Sequence, residues 1–273
     1  MANDLLKGKK GIIFGALNDM SIAWKVAEQA HKQGAELVLT NAPVAMRMGA
    51  INELAAQCGN APVIPADATS EEDLQNLFEK SMAHFGGKVD FVLHSIGMSP
   101  NVRKGKHYTD VNYNWYHQTL DVSAISLHKT LATALKMDAI KDWGSVVALT
   151  YIAAQRIFPD YNDMADAKSL LESITRSFGY HLGVSKKIRV NTVSQSPTVT
   201  TAGSGVKGFD EFIAYSEAMS PLGNADGVAC ADYCLTLFSD YTRYVTMQNL
   251  FHDGGFSNTG VSQEVVEKFS PGA

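Results

Sequence analysis

Apolar residues along the chain fall into two patterns, short runs of about four or five positions and longer stretches in which they recur every three or four. The runs are Lys10 to Phe14 (KGIIF), Glu36 to Thr40 (ELVLT), Pro62 to Pro65 (PVIP), Phe91 to His94 (FVLH), Val146 to Leu149 (VVAL), Arg189 to Val193 (RVNTV) and Asn249 to His252 (NLFH). Such runs suit strands buried on both faces of a parallel sheet. Helical spacing links Ile22, Ala23, Val26, Ala27 and Ala30; then Leu74, Leu77, Phe78, Met82 and Phe85, with Ser70 and Asp73 in capping positions. It returns over Ser123 to Lys136, in Leu170, Leu171, Ile174, Phe178 and Leu182, and in Val228, Ala231, Leu235 and Phe238. Lys104 to Gln118 is polar and aromatic without a period and reads as loop plus helix start. Ser194 to Gly208, rich in Ser, Thr and Gly, reads as the start of a mobile loop covering residues 198–219.

Strand alternating with helix predicts an α/β fold of Rossmann type: a doubly wound, parallel, seven-stranded sheet in a single domain spanning 1–273. The composition fits one large core, with 273 residues at 45% hydrophobic and 19% charged, and no Pro/Gly/Ser-rich linker or repeat divides the chain. A formal charge of −5 without a basic stripe argues against nucleic acid as a partner. No apolar run approaches the roughly 18 residues of a membrane span, and GIIF is too short for a signal-peptide core, so a cytoplasmic protein is expected. Three cysteines, an odd number, suit a reducing compartment. Cys230 and Cys234 have metal-ligand spacing but no nearby His or Cys cluster, so they read as core and no metal site is expected.

Chemistry is expected where strands end. In an open α/β sheet ligands bind at those ends, and a Gly between the first strand and first helix lets the backbone approach a pyrophosphate above a helix N-terminus. Gly15, followed by Ser21 and Ile22 at the helix start, occupies that place, although G-x-G-x-x-G spacing is absent. Asp67-Ala68 and Ser95-Ile96-Gly97 follow two further strands, where an adenine edge and a ribose would be met. The stretch from Tyr151 to Lys168 joins a strand to a helix and carries Tyr161 and Lys168. Seven residues of helix turn through about 700°, so the two would share a face if the helix reached back that far. A phenol is a poor acid, and a neighbouring ammonium favours its anion. An arbitrary Tyr and Lys are more often a half-buried aromatic and a solvated surface charge; the surrounding strand ends are what change that reading.

Taken together, the G-x5-S-I-A start at Gly15 to Ala23, Ser95-Ile96-Gly97, Tyr151, the Tyr-x6-Lys spacing of Tyr161 and Lys168, and Asp253-Gly254-Gly255-Phe256 resemble the short-chain dehydrogenase/reductase superfamily. Within it the chain resembles, almost end to end, the bacterial enoyl-acyl-carrier-protein reductases of fatty-acid synthesis. Most of the superfamily has Tyr-x3-Lys with an upstream Ser, where this chain has Thr150-Tyr151. Reduction of a 2-enoyl thioester delivers hydride to C3 while charge builds on the C1 oxygen, so the donor must reach further than in a ketone reductase; a loop altered without change of substrate explains the spacing equally well.

The resemblance implies an NADH-dependent reductase of trans-2-enoyl thioesters. Gly15, Ser21, Ile22, Asp67, Ala68, Ser95, Ile96, Gly97, Lys168, Thr198, Thr200 and Ala202 would hold the dinucleotide. Tyr161 would hydrogen-bond the enolate oxygen, Tyr151 would be catalytic with it, and Ser99 and Tyr151 would border the acyl thioester. NADH is favoured over NADPH because Thr40-Asn41-Ala42-Pro43 has no adjacent basic cluster for a 2′-phosphate. Acyl carrier protein would be the substrate's carrier, and a homotetramer built partly on Ser123 to Lys136 is implied. The rivals are a carbonyl or alcohol oxidoreductase of the same fold and a dinucleotide-sensing protein without turnover.

Overall fold

A computed structural model describes residues 4–47, 50–200 and 208–270. Six strands, β1 (Lys10–Phe14), β2 (Glu36–Thr40), β3 (Val89–His94), β4 (Ile140–Thr150), β5 (Arg189–Gln195) and β6 (Asn249–His252), pair in parallel in the order β2-β1-β3-β4-β5-β6. The expected seventh, at Pro62–Pro65, is a single parallel bridge between Leu39 and Val63 on the β2 edge. Leu39 N–H donates to Pro62 O at 2.9 Å and Ile64 N–H to Leu39 O at 3.0 Å. Ala66 N–H continues to Asn41 O at 3.1 Å, but Pro62 has no N–H to give β2 on the other side of the bridge, so the pairing stays at one bridge.

Helices cover both faces because successive strand residues point to opposite sides. Ile13, Leu37, Leu39, Phe91, Leu93, Val147 and Val193 pack in one core cluster with α1 (Ile22–Lys32), the short α2 (Pro43–Met46), α3 (Ile51–Gln57) and α10 (Gly227–Phe238). Ile12, Phe14, Val38, Val92, Val146, Ala148 and Val190 face the other way, against α4 (Glu71–Phe85), α7 (Ser126–Lys136) and α8 (Asn162–Lys186). The capping position read at Ser70 is occupied as expected, its hydroxyl accepting from Asp73 N–H at 3.2 Å. Cys230 and Cys234 lie buried in the first cluster.

One segment bears out the sequence reading of loop plus helix start, and one departs from the reading. Between α5 (Pro100–Arg103) and α7, helix begins at Tyr113, as α6 (Tyr113–Leu120), and runs into α7 through a π-turn at Asp121–Ile125. Asn112 makes that start possible: its side chain accepts from Trp115 N–H at 3.1 Å, a cap that the aperiodic aromatic pattern hides. The expected loop at 198–219 contains α9 (Phe209–Met219), whose first turn carries Asp210 and Glu211 where the helix dipole favours negative charge. A last helix, α11 (Gln263–Lys268), packs against α9. No helix among the described residues is long and apolar enough to cross a membrane.

Candidate active site

The strand order reverses between β1 and β3, and the carboxyl ends of these strands open a crevice of the kind that receives ligands in such sheets. An open cleft of about 310 Å³ there is lined by Phe14, Asn41, Ala42, Ala66, Asp67, Ala68, Thr69, Ile96 and Val122. It therefore contains Asp67, Ala68 and Ile96 of the expected dinucleotide set. Its floor residues Phe14 and Val122 were not read as site residues from sequence, since each belongs to an ordinary apolar pattern. Asn41 has both ends of its amide engaged, donating to Ala16 O at 3.0 Å and accepting from Ala42 N–H at 2.9 Å. The β2 end thus braces the first turn and presents no carboxylate.

Gly15 is at φ +95°, and a Cβ there would stand 1.9 Å from Ser95 O. Any side chain would drive apart the β1 and β3 ends, so the glycine is required by the scaffold before any ligand is considered. Ser21 folds the same turn, its hydroxyl accepting from Leu17 and Asn18 N–H groups at 3.1 Å and donating to Asn18 O. Ile22 follows at the start of α1. At the β3 end, Met98 is clamped by Ser123 of the π-turn, which accepts from Met98 N–H at 3.0 Å and donates to Met98 O at 3.1 Å. That clamp fixes the Ser95-Ile96-Gly97 turn. A Cβ on Gly97 would come within 3.8 Å of Lys168 Nζ and Met164 Cε, so hydrogen at this position keeps space open above the lysine.

Helix α8 begins directly after Tyr161, which ends a 3-10 turn at Pro159–Tyr161; Asn162, at φ 48° and ψ −136°, interrupts the helical path, so the helix carries Lys168 and does not reach back to Tyr161. Lys168 is 8% exposed, and its ammonium donates to Leu149 O at 2.8 Å. Burial pulls it down to about 8, against the smaller opposing pull of Glu172. The expectation that the ammonium would favour a Tyr161 phenolate is not met. Burial pushes the Tyr161 phenol above its ordinary range, because desolvation penalises the anion. Tyr151 is raised likewise, by burial first and then by Tyr161 and Asp253.

The ring of Tyr151 lies 5.2 Å from that of Tyr161, and its buried hydroxyl has no partner. Around the pair stands an aromatic wall that sequence reasoning missed: Phe158 lies 5.5 Å from Tyr151 and 4.8 Å from Phe212, and Phe256 lies 6.3 Å from Phe158. Three distant segments supply it, so no local spacing could reveal it. Ser99 is 3% exposed and its hydroxyl donates to Asp163 at 2.6 Å and accepts from Val102 N–H at 3.0 Å, so that side chain is committed to contacts within the protein. Thr198 ends the β5 exit, donating to Ser196 O at 2.9 Å, and Thr200 follows it. Ala202 lies outside the described residues.

A family model described as "Enoyl-(Acyl carrier protein) reductase" matches residues 15–257, from the glycine of the first turn to the end of the Asp253 segment. The chain belongs to that family. Among relatives of this reductase family, the "Enoyl-[acyl-carrier-protein] reductase [NADH] FabI" of Rickettsia bellii is 34% identical over 268 residues, covering 97% of this chain and 100% of its own. A FabI–NADH complex from Alistipes finegoldii superposes with a TM-score of 0.96 at 64% identity, over 99% of this chain and 95% of its own. The NADH enoyl reductase of Aquifex aeolicus superposes at 0.86 with 29% identity, over 94% of this chain and 99% of its own. The family's reductases thus share this fold across nearly the whole chain.

Proposed function

We propose that the protein reduces trans-2-enoyl thioesters of acyl carrier protein to saturated acyl thioesters in fatty-acid synthesis, with NADH as the preferred cofactor. The observation that carries this reading is the pairing of Tyr161 with the partnerless buried hydroxyl of Tyr151 beside an aromatic wall, seven residues ahead of a buried Lys168. Two phenols kept neutral by burial are hydrogen-bond donors, suited to an oxygen that gains charge. Family membership over residues 15–257 and the NADH-named relatives support the substrate and the cofactor.

The residues fit a nicotinamide dinucleotide. The cleft with Asp67, Ala68 and Ile96 suits an adenosine, the Gly15 to Ile22 turn a pyrophosphate, and the space kept open by Gly97 over Lys168 a ribose. An ammonium has three donors, and Lys168 gives one to Leu149 O, which leaves two for ribose hydroxyls. When bound there, NADH supplies a hydride for C3 of the enoyl group. Tyr161 donates to the C1 oxygen as charge collects on it, and Tyr151 stands by as a second donor. A proton taken up from solvent at C2, as the enolate returns to the thioester carbonyl, completes the saturated product. Phe158, Phe212 and Phe256 exclude water from the acyl chain.

The same reading makes the protein a cytoplasmic homotetramer, consistent with three free buried thiols. Spectrophotometry at the NADH band with crotonyl and longer 2-enoyl thioesters tests it. Oxidation of NADH by these and not by 3-oxoacyl thioesters is expected, with NADPH the poorer donor. Faster turnover of the 3-oxo compounds would instead establish a carbonyl reductase, and binding of NADH without turnover of either class a sensor.

A further inference from the structure

We propose that Asp163 is a positioning residue that fixes Tyr161 for proton donation by anchoring the α5–α6 segment to the first turn of α8. Asp163 is fully buried, and its carboxylate is held by three neutral donors: Ser99 Oγ at 2.6 Å, Asn101 Nδ2 at 2.8 Å and Thr119 Oγ1 at 2.9 Å, the last sharing its one hydrogen with Trp115 O, also at 2.9 Å. A carboxylate taken out of water needs such compensation, and the N-terminal turn of a helix adds its dipole. Each donor also fixes the segment it comes from. Ser99 accepts from Val102 N–H at 3.0 Å and so caps α5. Asn101 accepts from Asn112 N–H at 3.0 Å and donates to Asn112 O at 3.2 Å, and Asn112 caps α6. Thr119 lies within α6. One carboxylate thereby ties together the two helices that precede the site and the helix that carries its chemistry.

Tyr161 stands two residues before Asp163, and the chain between them is not free to turn. Asn162 has φ 48° and ψ −136°, a conformation that side chains rarely adopt and that persists only when its surroundings enforce it. Its amide does so, donating to Lys106 O at 2.6 Å and accepting from Asp163 N–H at 2.7 Å. Tyr161 also packs on the cluster of Val102, Met164 and Ala167, of which Val102 belongs to the segment that the carboxylate anchors. The backbone entering Tyr161 and a side chain supporting its ring therefore depend on the same group. A phenol displaced by about 1 Å from the developing oxyanion loses much of its effect on rate.

The inference takes from the proposed function only that Tyr161 is the donor, so the ratios between variants are read on whichever thioester or carbonyl compound the parent turns over. Failure of the parent on enoyl thioesters tests that reading; the ratios test this one. With full-length protein, Asp163→Asn should lower kcat by about 10- to 100-fold while the NADH dissociation constant, from fluorescence titration, stays within about twofold. Ser99→Ala and Thr119→Val, which each remove one donor and keep the carboxylate, should move kcat the same way by less, and they carry the test if Asp163→Asn does not fold. A double-mutant cycle separates positioning from plain stabilisation: on a Tyr161→Phe background Asp163→Asn should add little further loss. Folded variants with kcat near the parent's overturn the proposal. So does a full multiplicative loss on the Tyr161→Phe background, or NADH affinity falling in step with kcat.

Discussion

Tyr161 and Lys168 meet the same burial and respond in opposite senses, because desolvation penalises whichever form is charged: the phenol is held neutral and the ammonium becomes a weaker base, near about 8. A donor that must not ionise, at the entry to α8, and a cation that must hold ribose hydroxyls, within α8, thus differ in pH dependence. NADH affinity of the free enzyme should weaken as pH rises through about 8, where Lys168 loses its proton, and Lys168→Met should bind NADH weakly at every pH. The stability effect has the opposite sign. Between about 8 and the ordinary lysine range the unfolded chain holds the extra proton, so Lys168's contribution to stability rises with pH there. Fluorescence titration from pH 7 to 10 decides the first, and thermal midpoints of parent and Lys168→Met over the same range the second. Tyr161→Phe should leave NADH affinity unchanged and cost up to about 2.7–4 kcal/mol in the maximal rate, less if Tyr151 donates in its place. At this scale the spacing of Tyr161 and Lys168 was legible in the sequence. The protonation of Tyr161 was not, since it depends on how much water the fold removes.

The elements repeat that division. Strands β1 to β6 and the long helices follow from apolar runs and spacing, since burial on both faces leaves little freedom in composition. What the pattern overstated was the strand at Pro62–Pro65, where Pro62 lacks a donor toward β2 and a single bridge remains. What it understated was how far α6 runs on toward α7, because its cap, Asn112, is polar and its half-buried aromatics, Trp115 and Tyr116, show no clear period. The close fit of the sheet gives a test at this scale. Gly11 in β1 faces Phe91 of β3, and a Cβ there would lie 2.1 Å from the ring, which itself stacks on Phe238 at 4.4 Å. Gly11→Ala should therefore destabilise the fold by about 1–3 kcal/mol through overpacking, without altering NADH affinity of the folded fraction. A denaturant midpoint equal to the parent's would mean that the ring moves aside freely.

For the whole molecule, the site is assembled at the carboxyl ends of the strands from segments that meet only in three dimensions, which is why the aromatic wall of Phe158, Phe212 and Phe256 escaped a reading taken along the chain. The proposed assembly with other copies would rest on the opposite property, a face left uncovered. Helices α7 and α8 bury their inner faces against the sheet, yet Leu135 remains 41% exposed, Tyr180 58% and Val184 63%. Single exposed apolar residues are ordinary on a surface, but these belong to the two long helices packed on one side of the sheet, where a second copy could cover them together. A two-fold contact would set like residue against like, so one polar change would act on both sides of it. Sedimentation equilibrium should therefore give about four times the mass of the 29.5 kDa chain. Val184→Glu combined with Tyr180→Glu should reduce that mass, since charges placed in an apolar contact are desolvated without partners. A parent that sediments as one chain would refute the assembly. A tetramer unaffected by both changes would move the contact to another face.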